Sequence, residues 1–333
     1  MDGRIVRAPN HLGDVVLALP AILADGADVL VVRGLAPILR MALPAERVIP
    51  FDRGLRGWSR AVAVLRRGAY DAGVLLTPSF SAAWMMRWGG VGVLRGTATD
   101  ARSWMLRERI DPVDLERLHR INQYRLILRQ DTDVEPRSHR LEVPRRLAAR
   151  WRGELAGGSA ARVVGLFPGA NAPARRWPIE RYAEVARVRV EHGDRVVVIG
   201  GPGERDVTAR VAAAAPGAVD LGGRTSMEDL AAVLSVLDIL VTNDTGPMHL
   251  AGAVGTPTVS LWGSSDPDEV RQTGAPDFGV TGPGLPCKPC YRNHCSRRGG
   301  GTILEEAHEE CMKLITIDQV LEATDRALEA GVW

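Results

Sequence analysis

Lysine is almost missing from this chain. Of its 42 basic residues only Lys288 and Lys313 are lysine and the rest are arginine, a bias that genomic base composition can produce unaided. Forty acidic residues bring the formal net charge to +2, which argues against a general polyanion or nucleic-acid binder. No stretch approaches the roughly 20 apolar residues of a spanning helix. The opening Met1-Asp-Gly-Arg-Ile-Val-Arg7 reads directly as a short strand without an apolar signal region, so a cytoplasmic protein is expected. Cysteine is absent from the first 286 residues: all four lie between positions 287 and 311, which excludes a distributed disulfide framework. The dinucleotide fingerprint G-x-G-x-x-G and the P-loop ending Gly-Lys-Ser/Thr are missing as well.

What is present is enough apolar sequence for two cores. The chain has 333 residues, 45% hydrophobic and 25% charged, more than one core usually serves. Short apolar runs at 5–8, 29–32, 73–76 and 91–94 read as strands, with helical patterns near 15–24, 55–67 and 114–129. The alternation restarts after Ala156-Gly-Gly-Ser-Ala-Ala161, with strands at 163–167, 196–199, 218–221, 239–242 and 258–262. Helices are expected near 178–192, 204–214, 226–236 and 247–254. The expectation is an α/β protein with two Rossmann-like domains, 1–155 and 156–315, each built on a mostly parallel sheet. A final amphipathic helix within 316–333 is expected to pack back onto the first domain. Carboxyl edges of two such sheets, set on either side of a cleft, are the usual seat of ligands.

The segment Asp238 to Trp262 reads as strand, turn, helix and strand, with Asn243-Asp-Thr-Gly-Pro247 as the turn. Unpaired N–H groups and the helix dipole favour an anion there. Asp244 and Thr245 read equally well as helix N-caps. Phe167-Pro-Gly-Ala-Asn171 opens the second domain with a glycine turn, followed by Arg175 and Arg176, whose forked charge suits a phosphate. Glu204, after Gly200-Gly-Pro-Gly203, is a candidate acceptor for ribose hydroxyls or a first-turn dipole partner. In the first domain Gly13-Asp14 falls near a helix start at the sheet's carboxyl edge, where a carboxylate can take a proton from a hydroxyl or cap the helix. His11 is the competing base, and Pro20 should leave that helix short or kinked.

Cys287, Cys290, Cys295 and Cys311 follow the spacing C-x2-C-x4-C-x15-C within a Cys-rich loop at 285–311, which suits a tetrahedral structural metal, zinc first and iron second. His294 or His308 can replace one thiol. Between Arg87 and Arg129 many arginines run beside Trp84, Trp88, Trp104 and Tyr124, a pattern for an anionic glycan or lipid face as well as for a solvated helix surface.

Taken together, Gly13-Asp14, Pro168-Gly-Ala-Asn171, Arg176-Trp-Pro178 and Asn243-Asp-Thr-Gly-Pro-Met-His249 with Gly255-Thr-Pro257 resemble glycosyltransferase family 9, the bacterial ADP-heptose:lipopolysaccharide heptosyltransferase group. The resemblance spans nearly the whole chain. It implies a GT-B architecture of two facing Rossmann-like domains, acceptor on the first and nucleotide sugar on the second. It assigns Asp14 as general base, Asn171 and Arg175 as diphosphate contacts, and Glu204 as the nucleoside contact. Asp244, Thr245, Gly246 and His249 become the phosphate turn. Arg175 departs from the family's usual lysine, which changes reach and donor geometry. The cysteine cluster resembles, in kind more than in spacing, that of the heptosyltransferase II branch and the metal finger of protein-heptosylating relatives.

The expected function is inverting transfer of a heptose from an ADP-sugar donor to an anionic glycan or glycolipid acceptor of the lipopolysaccharide core. No organic cofactor and no nucleic-acid partner are expected, and any contact with the inner membrane is expected to be peripheral. Alternatives are a non-catalytic nucleotide- or glycan-binding protein, a transferase for a protein or small-molecule acceptor, and a sugar-nucleotide epimerase on the same fold.

Overall fold

A computed structural model describes residues 3–156, 161–295 and 310–330. The chain divides into two compact units, Met1–Leu141 and Glu142–Trp333. The first holds strands β1 (Arg4–Arg7), β2 (Asp28–Val32), β3 (Val48–Phe51), β4 (Ala72–Leu75), β5 (Val93–Thr97) and β6 (Glu108–Ile110), all parallel in the order β3-β2-β1-β4-β5-β6. Ile5, Val6, Val29, Leu30 and Val31 are buried, the continuous apolar pattern of strands covered on both faces.

Helices α1 (Leu12–Asp25), α2 (Ala36–Arg40), α3 (Leu55–Gly68), α4 (Phe80–Trp88) and α5 (Arg120–Ile127) complete this unit. Residues Val15 to Leu19, Ala21 and Ile22 of α1 are all buried, and α5 packs against α1 as well as against β5. The helix runs through Pro20 to Asp25 and is therefore not shortened as the proline suggested. The helix expected over 114–129 is instead a single turn at Pro112–Leu115 followed by α5, interrupted where Glu116 is extended and Arg117 has φ 66°.

The second unit repeats the pattern with β7 (Val163–Phe167), β8 (Arg195–Val198), β9 (Val219–Asp220), β10 (Ile239–Asn243), β11 (Thr258–Trp262) and β12 (Val280–Thr281) in the order β12-β11-β10-β7-β8-β9. Its helices are α6 (Arg145–Ala156), α7 (Ile179–Glu191), α8 (Arg205–Ala213), α9 (Met227–Leu234), α10 (Gly246–Val254), α11 (Pro267–Val270), α12 (Glu310–Lys313) and α13 (Ile317–Glu329). Helix α6 packs on α9, and Trp151 Nε1 donates to Asp229 Oδ1 at 3.0 Å. The units therefore part near Leu141, ahead of the glycine-rich stretch after Leu155, of which residues 157–160 lie outside the described ones.

Helix α13 belongs to the second unit. Val320, Ala323 and Ala327 join the core beneath α7, β10 and β11, and a Thr316–Gln319 capping box starts the helix. Trp177 anchors the same core: it is 1% exposed, stacks edge-on against Tyr182 and donates Nε1–H to the Ile315 carbonyl at 3.0 Å. Burying a side chain of that size removes about 200 Å² from water, on the order of 5 kcal/mol before entropy is counted. No helix among the described residues is long and apolar enough to cross a membrane.

Candidate functional site

In each sheet the strand order reverses once, between β1 and β4 and between β7 and β10. Turns leaving the carboxyl ends of those neighbours are where an open parallel sheet leaves room for a ligand. In the second unit these are the turn after β7, with Gly169 and Asn171, and the turn after β10, with Asp244 and Thr245. Asn243 locks the two together. Its Nδ2 donates to the carbonyls of Pro168 (2.9 Å) and Gly169 (3.3 Å), and its Oδ1 accepts the Trp177 backbone N–H at 3.1 Å. The side chain is fully buried, so all three bonds act without competition from water.

Helix α10 starts directly after this lock, with Thr245 as an extended N-cap residue whose side chain makes no cap bond. Gly255 ends the helix at φ 92°, a left-handed position that suits glycine. In that first turn Pro247 carries no N–H and the Met248 N–H donates to the Thr245 carbonyl at 3.2 Å, so the helix begins without a side-chain cap from Thr245. Asp244 does not cap the helix either. It is 4% exposed, accepts the Ser265 hydroxyl at 2.6 Å and lies 3.2 Å from Arg175 Nη1.

The remaining second-unit candidates divide. Glu204 is drawn onto the turn after β7: its Oε2 accepts the Gly201 N–H at 2.7 Å, and a Cβ on residue 169 would come within 1.7 Å of its Oε1. A side chain at residue 169 would therefore push the Glu204 carboxylate off the turn. Arg176 turns back onto the Ala170 carbonyl at 2.8 Å, and Asn171 is exposed at the turn's tip. His249 is buried in the first turns of α10. Sequence reasoning placed Asn243 in the turn but missed it as the residue joining both turns, and it missed Ser265. An asparagine ending a buried strand was the available signal.

In the first unit Asp14 is the third residue of α1, partly buried, with His11 exposed at the N-cap. The Tyr124 hydroxyl, from α5, donates to Asp14 Oδ1 at 2.9 Å. Tyr124 is held well above the ordinary phenol range, first by burial and then by the Asp14 charge, so it acts as a donor. Nearby, Arg7 ends β1 with its guanidinium on Asn10 Oδ1 and the Ala8 carbonyl and over the Phe51 ring. Burial, with the Arg53 charge adding to it, pulls Arg7 down to about 9. Arg102 is likewise buried, brought to about 10 by desolvation, and ties the Thr77 and Thr97 carbonyls together. Neither arginine stood out in a chain so rich in that residue.

The cysteines are free and partly buried. Cys311 is raised by burial, with Cys295 and Cys290 adding to the effect and Lys288 opposing it. Among the described residues no three His, Cys, Asp or Glu side chains converge to hold a metal ion. The alternative ligand His308 lies outside the described residues, and so does most of the spacer before Cys311. The loop is nonetheless fastened to the candidate site. Cys290 N–H donates to the Ser264 carbonyl at 2.9 Å, and Ala174 N–H donates to Asn293 O at 3.0 Å.

Two doubly wound parallel units in tandem, each with a strand-turn-helix element at its switch point, are the GT-B class of fold. The pattern of Glycosyltransferase family 9 (heptosyltransferase) matches residues 58–299, well over half of the chain, and the chain belongs to that family. It is 35% identical over 112 residues to lipopolysaccharide heptosyltransferase 2 of Salmonella typhimurium, a match covering 32% of each protein. The match to lipopolysaccharide heptosyltransferase 2 of Escherichia coli is 29% identical over 220 residues, covering 61% of this chain and 63% of that one. Among solved structures, ADP-heptose lps heptosyltransferase II of Escherichia coli superposes with a TM-score of 0.78 at 20% identity, over 98% of this chain and 99% of that chain. The iron-containing dodecameric glycosyltransferase TibC of enterotoxigenic Escherichia coli gives 0.64 at 17% identity, over 99% and 79% respectively.

Proposed function

We propose that this protein is an inverting glycosyltransferase that moves a heptose from an ADP-heptose donor to an anionic glycan or glycolipid of the lipopolysaccharide core. The observation that carries the reading is the second unit's switch point, where Asn243 clamps two turns beneath the N-terminus of α10 and beside Arg175. The positive end of a helix and a forked cation suit a diphosphate. Family membership and the heptosyltransferase names of the relatives support the donor and acceptor classes.

In this reading Asp14 accepts the proton of the acceptor hydroxyl as its oxygen bonds to the anomeric carbon. The bond from that carbon to the ADP oxygen breaks on the opposite face, inverting the centre. Charge developing on the departing diphosphate is met by the positive end of α10 and by Arg175, with Thr245, Gly246, Asn171 and Arg176 around it. Glu204 takes the ribose hydroxyls. His249, buried below the turn, shapes it from beneath. No step uses a metal. For Cys287, Cys290, Cys295 and Cys311 the zinc-or-iron reading is structural, and elemental analysis of the purified protein decides it.

An acceptor anchored in lipid would bring the protein to the cytoplasmic face of the inner membrane. The test of the whole reading is native mass spectrometry against a panel of nucleotide sugars, followed by product analysis with core oligosaccharide. Selective ADP-heptose binding and a heptose-sized mass gain on the acceptor are expected. Binding of a different nucleotide sugar in preference, or no mass gain on the acceptor, would overturn it.

A further inference from the structure

Helices α3 and α4 lie side by side in the first unit. Together they carry Arg56, Arg60, Arg66, Arg67 and Arg87, and neither contains an Asp, Glu, Asn or Gln. The α4 sequence places Phe80, Trp84 and Trp88 four residues apart, hence on one stripe of the helix. Ring centroids are 6.0 Å apart for Phe80 and Trp84 and 5.8 Å for Trp84 and Trp88, and Trp104 meets Trp84 edge-on at 6.0 Å.

This row is not core. Ala82, Ala83, Met85 and Met86 face inward, whereas Phe80 is 37%, Trp88 50% and Trp104 63% exposed. A cluster of large aromatic rings held in water marks a binding surface. Arg66 Nε donates to the Trp88 carbonyl at 3.0 Å, which fixes a guanidinium beside the last ring, and Arg87 and Arg107 are exposed nearby in sequence. Asp100 at the margin is engaged by the Phe80 N–H at 2.5 Å.

We propose that this face docks on a bilayer surface, with the rings at the headgroup boundary and Arg66, Arg87 and Arg107 on the phosphates of anionic phospholipids. Tryptophan suits that boundary because one end of the ring system is apolar and the other carries an N–H donor. A sugar stacking on the same rings would need acceptors for its hydroxyls, and α3 and α4 supply no carboxylate or amide side chain. Arginine without acid complements a negative surface instead. The proposal deepens the membrane-side acceptor reading above by naming the contacting surface, and it is tested without turnover so that either can fail alone.

The full chain is mixed with vesicles of phosphatidylglycerol and phosphatidylethanolamine, or of phosphatidylcholine alone, and sedimented. Binding to the anionic vesicles is expected, with emission quenched by brominated lipid. Trp88→Ala with Trp104→Ala should lose at least about tenfold in partitioning while melting at the wild-type temperature, since both side chains are half exposed or more. Arg66→Gln, Arg87→Gln and Arg107→Gln together should lose about a hundredfold on anionic vesicles, at about fivefold per arginine. Equal partitioning of wild type and the tryptophan variant would overturn the proposal. So would protection of the tryptophans by lipid-free oligosaccharide with no vesicle binding. A chain that transfers heptose but ignores vesicles would sink this inference and leave the transferase reading intact.

Discussion

Tyr124 donates its hydroxyl proton to Asp14 across 2.9 Å, joining two residues 110 positions apart in the chain. The bond fixes the rotamer of a carboxylate that stands in the first turn of α1. Because burial keeps the phenol protonated, one carboxylate oxygen is occupied and the other is left for a substrate. Asp14→Asn is expected to lower kcat by about 10²–10⁴ with ADP affinity unchanged. Tyr124→Phe should lower it by about tenfold, with KM for the donor unaltered, since it acts through Asp14. Donor turnover and ADP titration on both variants check this, and full activity in Asp14→Asn removes the base assignment.

The Arg175 guanidinium lies 3.2 Å from a buried Asp244 that also holds Ser265. A diphosphate arriving at α10 would compete with that carboxylate for the same cation. Arg175→Ala is expected to weaken ADP binding by about 1.5–3 kcal/mol, the range of charged hydrogen bonds. Arg175→Lys should recover part of the loss, because the charge survives while the fork does not. Calorimetric titration with ADP decides, and an affinity unmoved by Arg175→Ala would end the phosphate role.

Asp277 gives a pH dependence with a defined sign. Burial raises its carboxyl above 3.8, and the hydroxyls of Ser260 and Thr258 only partly offset this. Below that ordinary value both folded and unfolded chains hold the proton. As pH climbs towards the raised folded value, the unfolded chain releases its proton and the folded one keeps it, so stability falls. Asp25 is raised in the same direction, so the informative quantity is a difference between variants. Asp277→Asn should flatten the decline of the urea midpoint above about pH 4. Parallel midpoint curves for wild type and variant would rule out Asp277 as a source of the slope.

Much of this architecture was legible because parallel strands buried on both faces are unbroken apolar runs. Ile239 to Val241 and Val163 to Leu166 could hardly be anything else. The edge strands of the first sheet were not visible: β3 contains Pro50 and β6 is Glu-Arg-Ile, so neither has the pattern of a buried strand. Helix α4 was obscured by its own exposed aromatics, and the helix expected over 114–129 was broken by a left-handed Arg117 that no local rule demands. At the site, glycine turns and polar residues following strands were readable one turn at a time. What joins them was not, since Asn243 with Pro168 and Tyr124 with Asp14 are separated by 75 and 110 residues. The cysteine spacing suggested a metal centre, and Cys290 and Cys295 do come near enough to Cys311 to act on its thiol, while no group of three ligating side chains is formed among the described residues.

Asn243 offers the sharpest test of that junction. It has three hydrogen bonds, fully buried, to Pro168, Gly169 and Trp177, and it precedes Asp244. Asn243→Ala would leave an N–H and two carbonyls without these partners and would open a small void. A loss of about 2–4 kcal/mol in stability is expected. Asn243→Asp keeps the acceptor for Trp177 but loses both donors and buries a charge, so it should be no better tolerated. If the two turns form one seat, ADP affinity should fall in Asn243→Ala even at temperatures where the variant is fully folded. A folded Asn243→Ala that binds ADP like the wild type would mean that the turns hold their positions independently, and the clamp would then be structural alone.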